Sequence, residues 1–142
     1  MPDHTAHARV DVDATPERVW RALTHPEQIA TYMHGSRVST DWQVGSAITW
    51  DGEHDGKKYR DKGKVLVVDE PRTLSVTHYS PLSGSPDVPE SYHTIVYTLT
   101  PSAIGTTLEL SQTGNESAEQ AQAFSKNWQQ MLDGLKSVVE HQ

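Results

Sequence analysis

The sequence predicts an α+β fold, a curved antiparallel sheet of six or seven strands wrapped around a long C-terminal helix, with two short helices after the first strand. Three observations predict it. A helical period follows the first short strand pattern, a period of two then runs for most of the chain, and a helical period returns over the last residues. Strand runs separated by short breaks read as an antiparallel meander, and the single long helix is the natural cover for its one apolar face.

The first strand shows in Val10 and Val12 alternating with Asp11 and Asp13. Thr15 is placed to cap the first helix, Pro16 suits its first position, and Glu17 sets negative charge at its positive end. Val19, Trp20 and Leu23 form the stripe that this helix buries. His25-Pro26 stops it and starts a second helix carrying Ile29, Tyr32 and Met33 inward. Strands are then predicted over 36–40, 46–51, 57–69, 73–79, 92–100 and 106–113. The breaks QVG, DGEHDG, DEPR, SPLSGSPDVPES and PSAIG between them are rich in turn formers. The run 57–69 is long for one strand and predicts a bulge or bend near Gly63. A capping box of Ser117 and Gln120 opens the final helix over 117–140. Its apolar face comprises Ala121, Phe124, Trp128, Met131, Leu132, Leu135, Val138 and Val139. Its charges Lys126, Asp133, Lys136 and Glu140 read as a solvated face.

At 142 residues, without internal repeat or linker, the chain is expected to form a single domain over 1–142. No run of apolar residues is long enough for a membrane span. The opening MPDHTAHARV lacks the basic and apolar parts of an export signal, and no cysteine is present, so a cytoplasmic home is expected. The net charge of −7 argues against a nucleic-acid partner, because no basic stretch compensates it; the densest, KKYRDKGK, is short and interrupted. The eight histidines, His4, His7, His25, His34, His54, His78, His93 and His141, are scattered, with no HExxH, so neither a metal site nor a cofactor is expected. There is no GxSxG, and Asp51 and Glu53 sit in what reads as a turn.

One long helix does not cover six or seven strands, so a pocket between helix and sheet is expected, plugged at one end by the two short helices. Pairing Val76 with Ile95 sets Leu74 opposite Tyr97 and His78 opposite His93, with the two histidines side by side at the rim under the loop 80–91. Such a pair orients a polar headgroup or acts as acid and base; the ordinary alternative, a solvated pair at a hairpin mouth, carries more weight. Trp20 is expected in the core, whereas Trp50, Tyr97, Phe124 and Trp128 are placed equally to pack the core or to frame an apolar ligand, with Met33 and Met131 as adaptable walls. The expected ligand-binding set is Met33, Trp50, Val76, His78, His93, Ile95, Tyr97, Phe124, Trp128 and Met131.

The stretches ATPERVWRALTHPEQIATYM, GSAITWDG, GKVLVVDEPRTLSV, YTLTPSAIGTTLELSQTG and NWQQMLDGLKSVVE carry a resemblance over nearly the whole chain from Ala8. Together they resemble the helix-grip superfamily of START and birch-pollen-allergen proteins (SRPBCC), and within it the activators of heat-shock protein 90 ATPase. Two departures stand out. Tyr32 occupies a position where many relatives have tryptophan, and the chain has no room for the additional chaperone-binding domain of the eukaryotic activators. The resemblance implies the helix-grip fold and a range of roles: lipid carriers, hormone receptors, polyketide cyclases and chaperone activators. The expected function is a small-molecule binding domain for an apolar, aromatic or lipid-like ligand. The alternatives are a polyketide cyclase or hydrolase type of enzyme using His78, His93 and Tyr97, or a partner module acting on a chaperone or regulator.

Overall fold

The computed structural model describes residues 4–33 and 35–141, with His54 by its backbone alone. Strand β1 (His4–Val12) leads into α1 (Pro16–Thr24) and α2 (Pro26–Tyr32). Strands β2 (Arg37–Ser39), β3 (Ala47–His54), β4 (Lys57–Asp69), β5 (Thr73–His78), β6 (His93–Pro101) and β7 (Thr106–Asn115) follow, and α3 (Ala118–Glu140) closes the chain. All seven strands form one antiparallel sheet in the order β1-β7-β6-β5-β4-β3-β2. The meander thus carries β1 and β2 to opposite edges.

Thr15 caps α1 by accepting the Arg18 N–H at 3.3 Å. Ser117 caps α3 by accepting the Gln120 N–H at 3.0 Å, while the Gln120 amide oxygen reaches back to the Glu116 N–H, one residue beyond the usual box partner. The core is built from Val12, Val19, Trp20, Ile48, Val65, Leu74, Ile95, Leu108 and Leu110 with Leu132, Leu135 and Val139 of α3. Tyr32 ties α2 to α1 by donating its hydroxyl to the Ala22 carbonyl at 2.7 Å.

Three local expectations are corrected. Strand β3 runs through Asp51 and Glu53 to His54, because the turn is made by Asp55 and Gly56 alone, and Asp51 accepts a hydrogen bond from Arg60 of β4 at 2.6 Å. The irregularity in β4 lies between Val65 and Val67 rather than at Gly63. Gly63 is instead a close approach: a Cβ there would stand 1.8 Å from the Thr77 carbonyl oxygen. The loop 80–91 does not cover the histidines. Tyr79 and Tyr92, neighbours of His78 and His93 on the opposite face, stack at 5.3 Å, and Asp87 pairs with Lys62 and Tyr92, which draws the loop to the outer face.

The polar side of α3 is not simply solvated. Its side chains satisfy the free backbone edge of β1: the His7 N–H donates to Ser125 Oγ, and the Arg9 N–H donates to Gln129 Oε1. Gln129 Nε2 and Lys136 Nζ donate to the Arg9 and Asp11 carbonyls, and the Asp13 N–H donates to Glu140 Oε2. The Asp13 N–H and the Lys136 ammonium hold the Glu140 carboxyl below its ordinary value of 4.5. A depressed folded pKa stabilises the fold above the unfolded value and loses that contribution as pH falls through the folded one. Glu140→Gln is therefore expected to flatten the loss of stability below about pH 4.5, read as urea midpoints across a pH series; a slope identical to wild type would show that the carboxylate is unlinked to folding.

Candidate functional site

The space between the sheet and the short helices α1 and α2 is nearly filled. A void of about 20 Å³ remains, bordered by Leu23, Ile29, Met33, Trp50, Val76 and Tyr97 among others. That is room for about one water. A larger opening lies to the side, a cleft of about 570 Å³ between α2 and α3, walled by Met33, Tyr59, Phe124, Trp128 and Met131 together with the polar Thr31, Ser36, Asn127 and Gln130. Met33 and Tyr32 border both spaces and separate them. The expected set therefore divides. Met33, Phe124, Trp128 and Met131 meet in the cleft, Trp50, Val76 and Tyr97 meet around the inner void, and Ile95 is packed in the core opposite Val76.

A depression of similar volume, about 580 Å³, occurs on the sheet beside His7, Arg9, Thr98 and Glu109. Its exposed charged and hydroxyl side chains favour water over an apolar guest.

The helix positions of the cleft explain why the apolar face of α3 was wider than its core. Leu132, Leu135 and Val139 are fully buried at 0% exposure, whereas Phe124, Trp128 and Met131, on an adjacent ridge, are half-buried. Trp128 is fixed there by its indole N–H, which donates at 2.8 Å to Gln112 Oε1 of β7. Gln112 is itself 1% exposed, a polar residue that the strand's apolar alternation concealed. On α2's side, Gly134 lets the helices approach: a Cβ there would meet the Tyr32 Cβ at 3.3 Å.

Strand pairing sets His78 opposite His93 and Trp50 opposite Asp61. The two imidazoles hold separate partners. His78 Nε2 lies 2.8 Å from Asp61 Oδ2, and its ring meets Trp50 edge-on with centroids 5.0 Å apart. His93 Nδ1 donates to the Thr113 carbonyl at 2.9 Å, and its ring lies 5.6 Å from that of Phe124. The result is a row across four strands: Trp50, Asp61, His78 and His93. Asp61 is the residue the sequence reading passed over. In KKYRDKGKV the cations Lys58, Arg60, Lys62 and Lys64 alternate with Tyr59, Asp61, Gly63 and Val65, so strand parity alone turns this acid inward.

Burial drives the Tyr97 phenol well above its ordinary value of 10.0, and the same cause, with Tyr97 nearby, raises Tyr32. Among the described residues no three His, Asp or Glu side chains come together as metal ligands; His34 and the side chain of His54 lie outside the described residues. Among them, too, no helix is long and apolar enough to cross a membrane.

A seven-stranded antiparallel sheet gripping one long C-terminal helix, with two short helices after the first strand, defines a helix-grip protein. Residues 13–140 match the family described as activator of Hsp90 ATPase homolog 1-like protein, and the chain belongs to that family. The solution structure of ChR145 from Cytophaga hutchinsonii is similar at 42% identity and a TM-score of 0.86, over 99% of this chain and 97% of that one. Ara h 8.0201 shares the fold at 15% identity and a TM-score of 0.76, over 99% of this chain and 100% of its own. DynU16, a protein of the dynemicin biosynthetic locus, does so at 23% identity and a TM-score of 0.79, over 98% of this chain but 48% of its own. A comparison with curated proteins gives no match.

Two outcomes test this geometry. Trp128→Phe leaves the buried Gln112 oxygen without its donor and is expected to cost about 1–3 kcal/mol by urea unfolding; an unchanged midpoint would detach the indole from β7. In an alkaline titration followed by phenolate absorbance, Tyr32 and Tyr97 are expected to stay protonated until the protein unfolds. Their raised folded values mean that their contribution to stability is complete below pH 10.0 and falls away above it. Five phenols ionising together with the fold intact would contradict the burial of this pair.

Proposed function

We propose that this protein binds one small apolar or aromatic molecule in the cleft between α2 and α3. The observation that carries the reading is the cleft itself: its volume of about 570 Å³ suits a small ligand, and its walls set the apolar Met33, Phe124, Trp128 and Met131 among the polar Thr31, Ser36, Tyr59, Asn127 and Gln130. Half-buried aromatic and thioether side chains lose little by being covered and adapt to the shape of a guest. The family contributes its fold, and a protein of a biosynthetic locus built on that fold is consistent with a guest of this kind.

An enzyme using His78, His93 and Tyr97 has less support. The Tyr97 phenol, desolvated and raised, is a poor proton donor near neutral pH, and His93 is engaged by the Thr113 carbonyl. A partner module for a chaperone, which the family's description suggests, would use an exposed apolar patch. The exposed large apolar residues Val44, Leu82, Val88 and Ile104 instead sit singly in loops, and Leu66 and Val67 lie at the β4 bulge.

The reading is tested with 1-anilinonaphthalene-8-sulfonate as an apolar fluorescent probe. Wild type is expected to bind about one equivalent and to gain several degrees in thermal midpoint at saturating probe. Met131→Glu, which sets a charge in the cleft wall, is expected to weaken binding about tenfold or more while leaving the circular dichroism spectrum unchanged. Equal binding by the variant would place the probe elsewhere and remove the support for the cleft.

A further inference from the structure

We propose that Asp61 and His78 form a hydrogen-bond anchor in this site, and that the natural ligand is an aromatic or polycyclic molecule bearing a hydroxyl group which that anchor accepts. The proposal rests on the cleft reading above and adds the polar half of the ligand.

The pair is fixed by its own chemistry. A carboxylate carries no proton, so in the 2.8 Å contact it is His78 Nε2 that donates to Asp61 Oδ2. In the neutral imidazole this leaves Nδ1 as an acceptor. Both Nδ1 of His78 and Oδ1 of Asp61 are buried and have no hydrogen-bond partner. Two acceptors on one pair, shielded from solvent and without donors, are costly to leave unmade. A ligand hydroxyl, which brings a proton to donate, is the group they fit. A carboxylate or ketone, which brings only lone pairs, is the group they reject.

The pair lines neither the cleft nor the inner void, but it stands beside residues that wall both. Asp61 is two residues from Tyr59 on the same face of β4, and Tyr59 walls the cleft, its hydroxyl 3.2 Å from Ser36 Oγ. Gly52, opposite Tyr59 in the register, makes room for that ring: a Cβ there would fall 2.4 Å from the phenol oxygen. On the other side His93 stands opposite His78 and against Phe124, another cleft wall. The ring of Trp50, edge-on to His78, supplies a flat apolar surface beside the anchor. A ring system held among Met33, Phe124, Trp128 and Met131 would bring its hydroxyl to the pair by displacing the side chains that bury His78 Nδ1 and Asp61 Oδ1.

The test compares 2-naphthol with its methyl ether, 2-methoxynaphthalene, on the full chain. Wild type is expected to bind the naphthol about tenfold or more tightly than the ether. His78→Phe, which keeps an aromatic ring against Trp50, and Asp61→Asn are expected to bring that ratio close to one. Independently of any variant's folding, the wild-type His78 Nδ1 resonance in ¹⁵N spectra is expected to move on naphthol binding and not on ether binding. If the methyl groups of Met33 and Met131 shift with both compounds while Nδ1 stays still, the cleft reading stands and the anchor is overturned. If neither compound shifts those methyl groups or Nδ1, both are overturned. A preference for naphthol that persists in both variants also overturns the anchor.

Discussion

The placement of α3 along the free edge of β1 is the constraint on which the rest of the molecule depends. β1 is the edge of the sheet, and its outward backbone groups would otherwise stand open to pairing with another chain. Ser125, Gln129, Lys136 and Glu140 close them at His7, Arg9, Asp11 and Asp13. The two periods agree. From Ser125 to Glu140 the helix rises about 22 Å, and from His7 to Asp13 an extended strand spans about 20 Å. A helix that runs in step with an edge strand for its whole length has no freedom to move to the middle of the sheet.

That restriction decides where the site lies. With α3 held over β1 and β7, the inner face of β3, β4 and β5 is left for α1, α2 and the segment before β2 to cover. Trp20, Leu23, Ile29 and Tyr32 do so, and the close approach at Gly134 sets the spacing of α2 from α3. The closure is tight below Met33, where only about 20 Å³ is left, and incomplete beyond it. The cleft is thus the remainder when a straight helix tied to one edge and a short helix tied to α1 cover a curved sheet. Its α3 wall is apolar because Phe124, Trp128 and Met131 lie on the ridge beside the one that fills the core, away from the polar side that meets the β1 edge.

The architecture was legible because each element is announced by a period or a cap: Thr15-Pro16, His25-Pro26, Ser117, and the alternation between Arg37 and Asn115. The register that sets His78 opposite His93 was legible for the same reason, since one-residue slips would turn Leu74, Val76 and Ile95 out of the core. The role of Lys136 and Glu140 was not. A charged residue on the polar side of a helix looks the same whether it faces water or a strand edge, and the difference lies in contacts more than a hundred residues apart in the chain. The division between void and cleft was hidden too. Sequence periodicity gives the face a side chain points to, but not how far two covering helices stand apart.

Asp61 lies between these cases. Its orientation follows from parity, yet its partner does not, because Asp61 and His78 meet across the bend where β4 departs from regular pairing with β5. Past Val65, the irregularity at Leu66 and the close approach of Gly63 to Thr77 bring the early part of β4 over the end of β5. The bend therefore does two things at once. It curves the sheet around the helices, and it sets a carboxylate beside an imidazole on an inner face that is otherwise mostly aliphatic and aromatic. A purely structural pair would be expected to satisfy all of its polar atoms, since burying an unpaired acceptor costs more than replacing the pair with apolar residues of like size. That this pair leaves one polar atom on each partner unsatisfied, next to residues that wall an open cleft, is a feature of the inner face that packing alone does not explain.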